Sequence, residues 1–207
     1  MSPRRAFALI LPYIAILVGL CGFRNGWLAF AIYHLGIVLV ISVGRRWGLA
    51  RELARGWKWW LALTGMVFGA LGCVFILLFL PHLGLAPGLA GKLAGLGLSG
   101  FSWTLFVAYH ALVNPWLEEL YWRGLLGSKA WHPVVEDFAF AGYHILVLAF
   151  FVAWPWLMVA FVALAVAGWA WRGMARRSGG LLVPALSHLV ADASVMALAW
   201  VVSRGEP

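Results

Sequence analysis

The chain has 207 residues, 64% of them hydrophobic and only 11% charged, with a mean hydropathy of +0.94. That composition excludes an ordinary soluble domain and fits a polytopic helical membrane protein with room for about six to eight spans at ~20 residues each. The net charge of +8 would suit nucleic acid, but most basic residues lie in short loops between apolar runs, the positive-inside pattern, and nucleic acid is not an expected partner.

In chain order, Arg4 and Arg5 precede an apolar first span at residues 6–23. A retained span is expected rather than a cleaved signal, because no small-residue cleavage site follows and Leu20 precedes Cys21. The second span, 27–43, closes on Gly44–Arg45–Arg46. The stretch after it carries Arg51, Arg55 and Lys58 among Trp47, Trp57, Trp59 and Trp60. Its composition suits a helix at an anionic lipid surface or, equally, a topology signal flanked by interfacial tryptophans. The third span is 59–80. Residues 83–100, rich in Gly and Leu with Lys92 as the one full charge, read as a re-entrant or interfacial piece. A fourth span at 101–126 should kink at Pro115. The fifth, sixth and seventh are 135–152, 156–171 and 181–202, with a basic loop at 172–177. The expectation is an all-α polytopic membrane helix bundle of about seven transmembrane helices, at ~20 residues per span. It forms one domain over 1–207, with no repeat and no long linker. If the basic loops are cytosolic, the amino terminus is cytosolic and the carboxyl terminus is not. Cys21 and Cys73 match no metal spacing and support no disulfide framework.

Within this apolar sequence, residues 114–124 hold Glu118, Glu119 and Arg123. A charge near the middle of a membrane helix costs ~2.5–3.5 kcal/mol on insertion scales, so three together need a reason. Either this is a cytosolic helix with solvated charges, or the charges are functional. Glu119 and Arg123, at i and i+4, can pair along one face. Glu118 points about 100° away, so one carboxylate reads as structural and the other as free for chemistry. His110 and Asn114 continue the Glu118 stripe at i+4 spacing and are expected to satisfy carbonyls freed by Pro115. His144, and His188 with Asp192, interrupt the fifth and seventh spans. At about 1.5 Å per residue, Glu118, His144 and His188 all lie roughly 10–13 Å from the basic ends of their spans. His34 stands apart and reads as a helix–helix hydrogen bond.

These residues fall into motifs. Residues 118–123 fit EExxxR, Phe140 to His144 fits FxxxH, and His188 to Asp192 fits HxxxN/D. In that order they resemble the CAAX-protease and bacteriocin-processing (CPBP, or Abi) family, which includes the Ras-converting-enzyme type of prenyl endopeptidase. The resemblance covers about 100–200, the expected catalytic core. It implies a glutamic-type intramembrane endopeptidase with no cofactor and no metal. Glu118 and His144 would activate water, His188 and residue 192 would stabilise the oxyanion, and Glu119, Arg123 and Phe140 would support the site. Asp192 departs from the Asn of some members, since an ionised carboxylate cannot donate to an oxyanion. Its expected role is to orient His188. The implied partners are the lipid bilayer and a membrane-associated protein or peptide, with a sorting or lipidated carboxyl-terminal tail among the candidates. The implied setting is the bacterial cytoplasmic membrane. Two other readings compete. A zinc metalloprotease could use Glu, two His and Asp, although no HExxH pair is present. A proton-coupled carrier or idle scaffold could use the same carboxylates, although paired broken helices and repeats are missing.

Overall fold

A computed structural model describes residues 3–84 and 88–205, and among them every regular element is helical. Helix α1 spans Pro3–Ile16 and widens into a π-helical turn, Leu17–Gly22. After a turn with Arg24 at φ 49°, Asn25 caps α2 (Gly26–Val43), its side chain accepting from Leu28 N at 2.9 Å. A 3₁₀ segment, Trp47–Ala54, leads to α3 (Trp59–Phe79). Then follow the short α4 (Leu89–Ala94), α5 (Gly100–Glu118) with a π-helical continuation (Glu119–Leu125), and α6 (Val135–Leu148). Two long helices, α7 (Trp154–Ser178) and α8 (Leu182–Arg204), complete the chain.

Among the described residues, five helical stretches are long and apolar enough to cross a membrane: Pro3–Gly22, Gly26–Val43, Trp59–His82, Trp154–Ser178 and Leu182–Arg204. The two remaining expected spans are α5 with its continuation, which carries the charges, and α6, whose 14 residues fall short of the ~20 a span needs. The bundle is apolar on its outside, where Phe7, Leu35, Leu39, Val67, Leu71 and Val162 are exposed. Its polar groups are inside: Glu118, Glu119, Arg123, Asp137, Arg172 and His188 are all buried. That inversion is what a lipid solvent selects, because a charge facing hydrocarbon is far costlier than one facing its partner.

Helix α8 is the central strut, packed against α3, α5 and α7. The close approach of α3 depends on its glycines: a Cβ on Gly65 would lie 3.3 Å from Ser187 Cβ, and one on Gly69 would collide with the Ser187 backbone. Small residues four apart let membrane helices touch backbone to backbone. Ser187 Oγ donates to Gly65 O at 2.6 Å and accepts from Trp171 Nε1 at 2.9 Å, tying α3, α8 and α7 together.

Pro115 lies inside α5. The helix continues to Glu118, and the irregularity follows as the π-helical stretch, where Leu126 N bonds Tyr121 O at 2.9 Å. Residues 172–177 are not a loop. They are the last turns of α7, closed by Gly179 at φ 79°, and Arg172 is only 2% exposed, with its Nη2 2.6 Å from Asp137 Oδ2. A buried carboxylate on α6 therefore absorbs a cation that the loop pattern assigned to solvent. In the 83–100 stretch, α4 turns Leu89 and Leu93 inward, and Leu96 O accepts from Gly26 N at 2.9 Å. Residues 85–87 of that stretch lie outside the described residues.

The basic segments meet at one end of the bundle. Arg5 Nη2 reaches Glu136 Oε1 at 2.5 Å and Leu126 O at 3.0 Å. Leu181 N donates to Glu52 O at 2.8 Å, and Lys58 Nζ to Arg177 O at 2.5 Å. Cys21 and Cys73 are both free thiols.

Candidate active site

Glu118, the last α-helical residue of α5, is 1% exposed. Its Oε1 accepts a short hydrogen bond from the Tyr143 hydroxyl on α6. Its Oε2 has no hydrogen-bond partner and lies 3.6 Å from His188 Nε2. The same Tyr143 hydroxyl is 3.1 Å from His144 Nε2. The carbonyl of Phe140 can only accept, so His144 Nδ1, 2.8 Å away, must carry a proton. One hydroxyl thus joins the buried carboxylate to the more exposed imidazole. Tyr143 is fixed by stacking on Trp122, with ring planes 1° apart at 5.8 Å. Trp122 in turn donates to Tyr33 OH on α2 at 2.9 Å.

Glu119 and Arg123 lie on the adjoining face, in the π-helical continuation. Arg123 Nη1 is 3.1 Å from Glu119 Oε1 but off line for a hydrogen bond, so the contact is electrostatic. Glu119 Oε1 instead accepts a true hydrogen bond from His188 Nδ1 at 2.9 Å. The guanidinium lies 4.4 Å above the Phe140 ring and 5.1 Å from that of Trp171, two cation–π contacts in a dry setting. Trp171 also stacks on His188, with centroids 4.1 Å apart and planes 16° apart. His188 is therefore held edge-on by Glu119 and face-on by Trp171, which leaves Nε2 pointing toward Glu118 and Asp192. Phe140 lies 4.5 Å from His144 and 6.0 Å from His188, between the two imidazoles.

Asp192, one turn beyond His188 on α8, has Oδ1 3.4 Å from His188 Nε2. Its Oδ2 accepts from Asn114 Nδ2 at 2.9 Å and is 3.3 Å from His110 Nδ1. Asn114 Oδ1 is 3.1 Å from His34 Nε2, whose other ring nitrogen is 2.8 Å from Tyr109 OH. An amide oxygen only accepts, so this chain runs in one direction: Tyr109 to His34 to Asn114 to Asp192. His110 and Asn114 do not serve the carbonyls near Pro115. Their partners are side chains, because α5 turns their face toward α8 and α2. His34 is the helix-to-helix bond expected of it, and through Asn114 it touches the site cluster.

All seven expected site residues, Glu118, His144, His188, Asp192, Glu119, Arg123 and Phe140, thus lie in one cluster on α5 and its π-helical continuation, α6 and α8. Glu118 and His188 are each 1% exposed, whereas the side chains of Asp192 and His110 are 14% and 23% exposed, so access is from the His144–Asp192–His110 side. Sequence reasoning missed Tyr143, Trp171 and the bracing pair Asp137–Arg172. Tyr143 and Trp171 are aromatics in apolar helices and carry no signal of their own. Asp137 did carry one, as an acidic residue opening an apolar span. Among the described residues no three His, Cys, Asp or Glu side chains are placed to share a metal ion. A cavity of about 440 Å³ between Leu98, Trp103, Trp200 and Arg204 lies at the far ends of α5 and α8 and includes none of these residues.

A helical bundle that buries carboxylates and histidines beneath an apolar exterior has the make-up of an integral membrane protein with a polar interior site. Residues 99–194, just under half of the chain, match the family model described as type II CAAX prenyl endopeptidase Rce1-like. Over that stretch the chain is similar to CAAX prenyl endopeptidases. No curated protein and no solved structure matches it.

Proposed function

We infer that the chain is a glutamic-type intramembrane endopeptidase that hydrolyses a peptide bond of a membrane-associated protein or peptide. The observation that carries this reading is Glu118: a fully buried carboxylate with one oxygen held by Tyr143 and the other unpartnered, opposite the Nε2 of a clamped histidine. Such a carboxylate has a free oxygen placed to accept a proton from water. A water between Glu118 Oε2 and His144 loses its proton to Glu118 as its oxygen attacks the scissile carbonyl. His188 Nε2 donates to the oxyanion, as a rigid preorganised donor must. The proton then returns to the leaving amine through His144, which closes the balance. Glu119, Trp171 and Phe140 hold the imidazoles, and Arg123 offsets the Glu119 charge.

In this reading α5 with its continuation and α6 complete about seven spans, each judged against the ~20 residues of a full crossing. The basic end is cytosolic, and the setting is a bacterial cytoplasmic membrane. The substrate presents its cleavable tail from that side, as a lipidated or sorting segment would.

The test uses purified protein in liposomes with two peptides that share an apolar tail, one prenylated and one not, under exhaustive chelation. Release of a carboxyl-terminal fragment that persists with chelator and is lost in Glu118→Gln is the expected result. Loss with chelator and recovery with zinc would instead establish the metalloprotease. No release from either peptide would favour a carrier or scaffold.

A further inference from the structure

Three carboxylates converge on one imidazole. Glu119 Oε1, Asp192 Oδ1 and Glu118 Oε2 lie 2.9, 3.4 and 3.6 Å from the ring nitrogens of His188. The one permanent cation among them is Arg123, paired with Glu119. Ionised carboxylates removed from water need compensation, either by a cation or by a proton. Two more positive charges or protons are therefore required. His188, flanked by all three carboxylates, takes one of them.

The other belongs to Asp192, and the geometry names its holder. His110 Nδ1 lies 3.3 Å from Asp192 Oδ2, on the side away from His188, and has no true hydrogen bond. An imidazole nitrogen so near a carboxylate oxygen is attracted only when a proton lies between them. With a second proton on Nε2 as well, His110 is a cation and the pair as a whole is neutral. Asn114 Nδ2 donates to the same oxygen at 2.9 Å and adds no charge. His34 reaches this carboxylate only through Asn114.

We propose that His110 is a positioning residue that neutralises Asp192, and so lets this chain carry an acid where the HxxxN/D motif also admits an amide. The role rests on the protease reading above. An amide at 192 needs no proton and does not repel an oxyanion. An acid at 192 without its proton-sharing partner would set a full negative charge 3.4 Å from the nitrogen that must receive the oxyanion. His110 is thus required because of Asp192 and for no other reason.

The experiment is a double-substitution cycle on the full chain: wild type, His110→Gln, Asp192→Asn and the combined variant, each measured for kcat, KM and melting temperature in detergent. In the wild-type background His110→Gln should lower kcat by ~10–10²-fold, less than the ~10²–10³-fold of losing an oxyanion donor outright, with KM nearly unchanged. In the Asp192→Asn background the same substitution should change kcat by less than about twofold, the behaviour of uncoupled sites. His110→Lys, which restores a cation, should recover kcat where His110→Gln does not. The same loss in both backgrounds, or none in either, would overturn the proposal. If no peptide is cleaved by any form, the protease reading fails while the pairing is still decided by melting. A destabilisation by His110→Gln that disappears with Asn at 192 supports the pair, and additive destabilisation refutes it.

Discussion

Glu118 and Glu119 are neighbours in the chain to which the proposed mechanism gives different work, and substitution should separate them. Glu118→Gln keeps the shape of the side chain and its contact with Tyr143 but removes the base. Cleavage should fall by ~10²–10⁴-fold, the usual share of a general base, while the melting temperature stays close to that of the parent. Glu119→Gln leaves Arg123 without a counter-charge and costs about 3–5 kcal/mol as a broken buried pair, and it also loosens His188. Arg123→Gln in that background should recover part of the stability. The reverse pattern, with Glu119→Gln stable but inactive and Glu118→Gln unstable, would exchange the two roles. Tyr143→Phe retains the ring on Trp122 and deletes only the hydroxyl that joins Glu118 to His144. A fall in kcat of ~10–10²-fold with a stability change near 1 kcal/mol is expected, and full activity would show that the hydroxyl is a bystander.

Among the elements, α8 and α6 locate the imidazoles, and each is held by a contact away from the chemistry. Gly69 lets α3 lie against the Ser187 backbone, immediately before His188. Replacing it with leucine should separate α3 from α8 and lower the melting temperature, with overpacking typically costing ~1–3 kcal/mol. Activity should fall with it, since His188 moves with its helix, and an unchanged melting temperature would refute the packing. Helix α6 is held at its start by Asp137, which takes Arg172 Nε at 3.1 Å and Nη2 at 2.6 Å. The pair fixes the register between α6 and α7, and so places His144 on one helix relative to Trp171 on the other. Asp137→Asn should cost about 3–5 kcal/mol by leaving a buried guanidinium unpaired. Detergent melting decides it, and a wild-type melting point would mean that Arg172 finds water instead.

For the molecule as a whole, side of membrane is the measurable quantity. The 45–58 stretch docks beside the α7–α8 turn through Leu181 N and Glu52 O. Arg204 stands at the other end of the 23-residue α8, about 34 Å away at 1.5 Å per residue. Reporter fusions at residue 50 and at the carboxyl terminus should therefore report opposite compartments. Finding both on one side would break the topology and, with it, the depth at which the site is placed.

Sequence alone determined the solvent, the helical class and which charged residues lie inside the apolar spans. Hydropathy over ~20 residues is a local property, and a charge inside such a run is conspicuous by its cost. The i and i+4 spacing of Glu119 and Arg123 is likewise local and survives even where the helix widens to a π turn. Which side chains meet across helices depends on the rotation and crossing of each helix about its neighbours, which no local pattern encodes. Tyr143 is one aromatic among many until α6 turns it onto Glu118. His110 and Asn114 were legible as a stripe, but their partner was not, because Asp192 lies 78 residues further along the chain from Asn114. Arg172 read as a loop cation because the charge pattern is blind to Asp137 on another helix. Only the packing of α5, α6, α7 and α8 decided that Asp192 has two imidazoles and an amide around it, and therefore what the acid at that position requires.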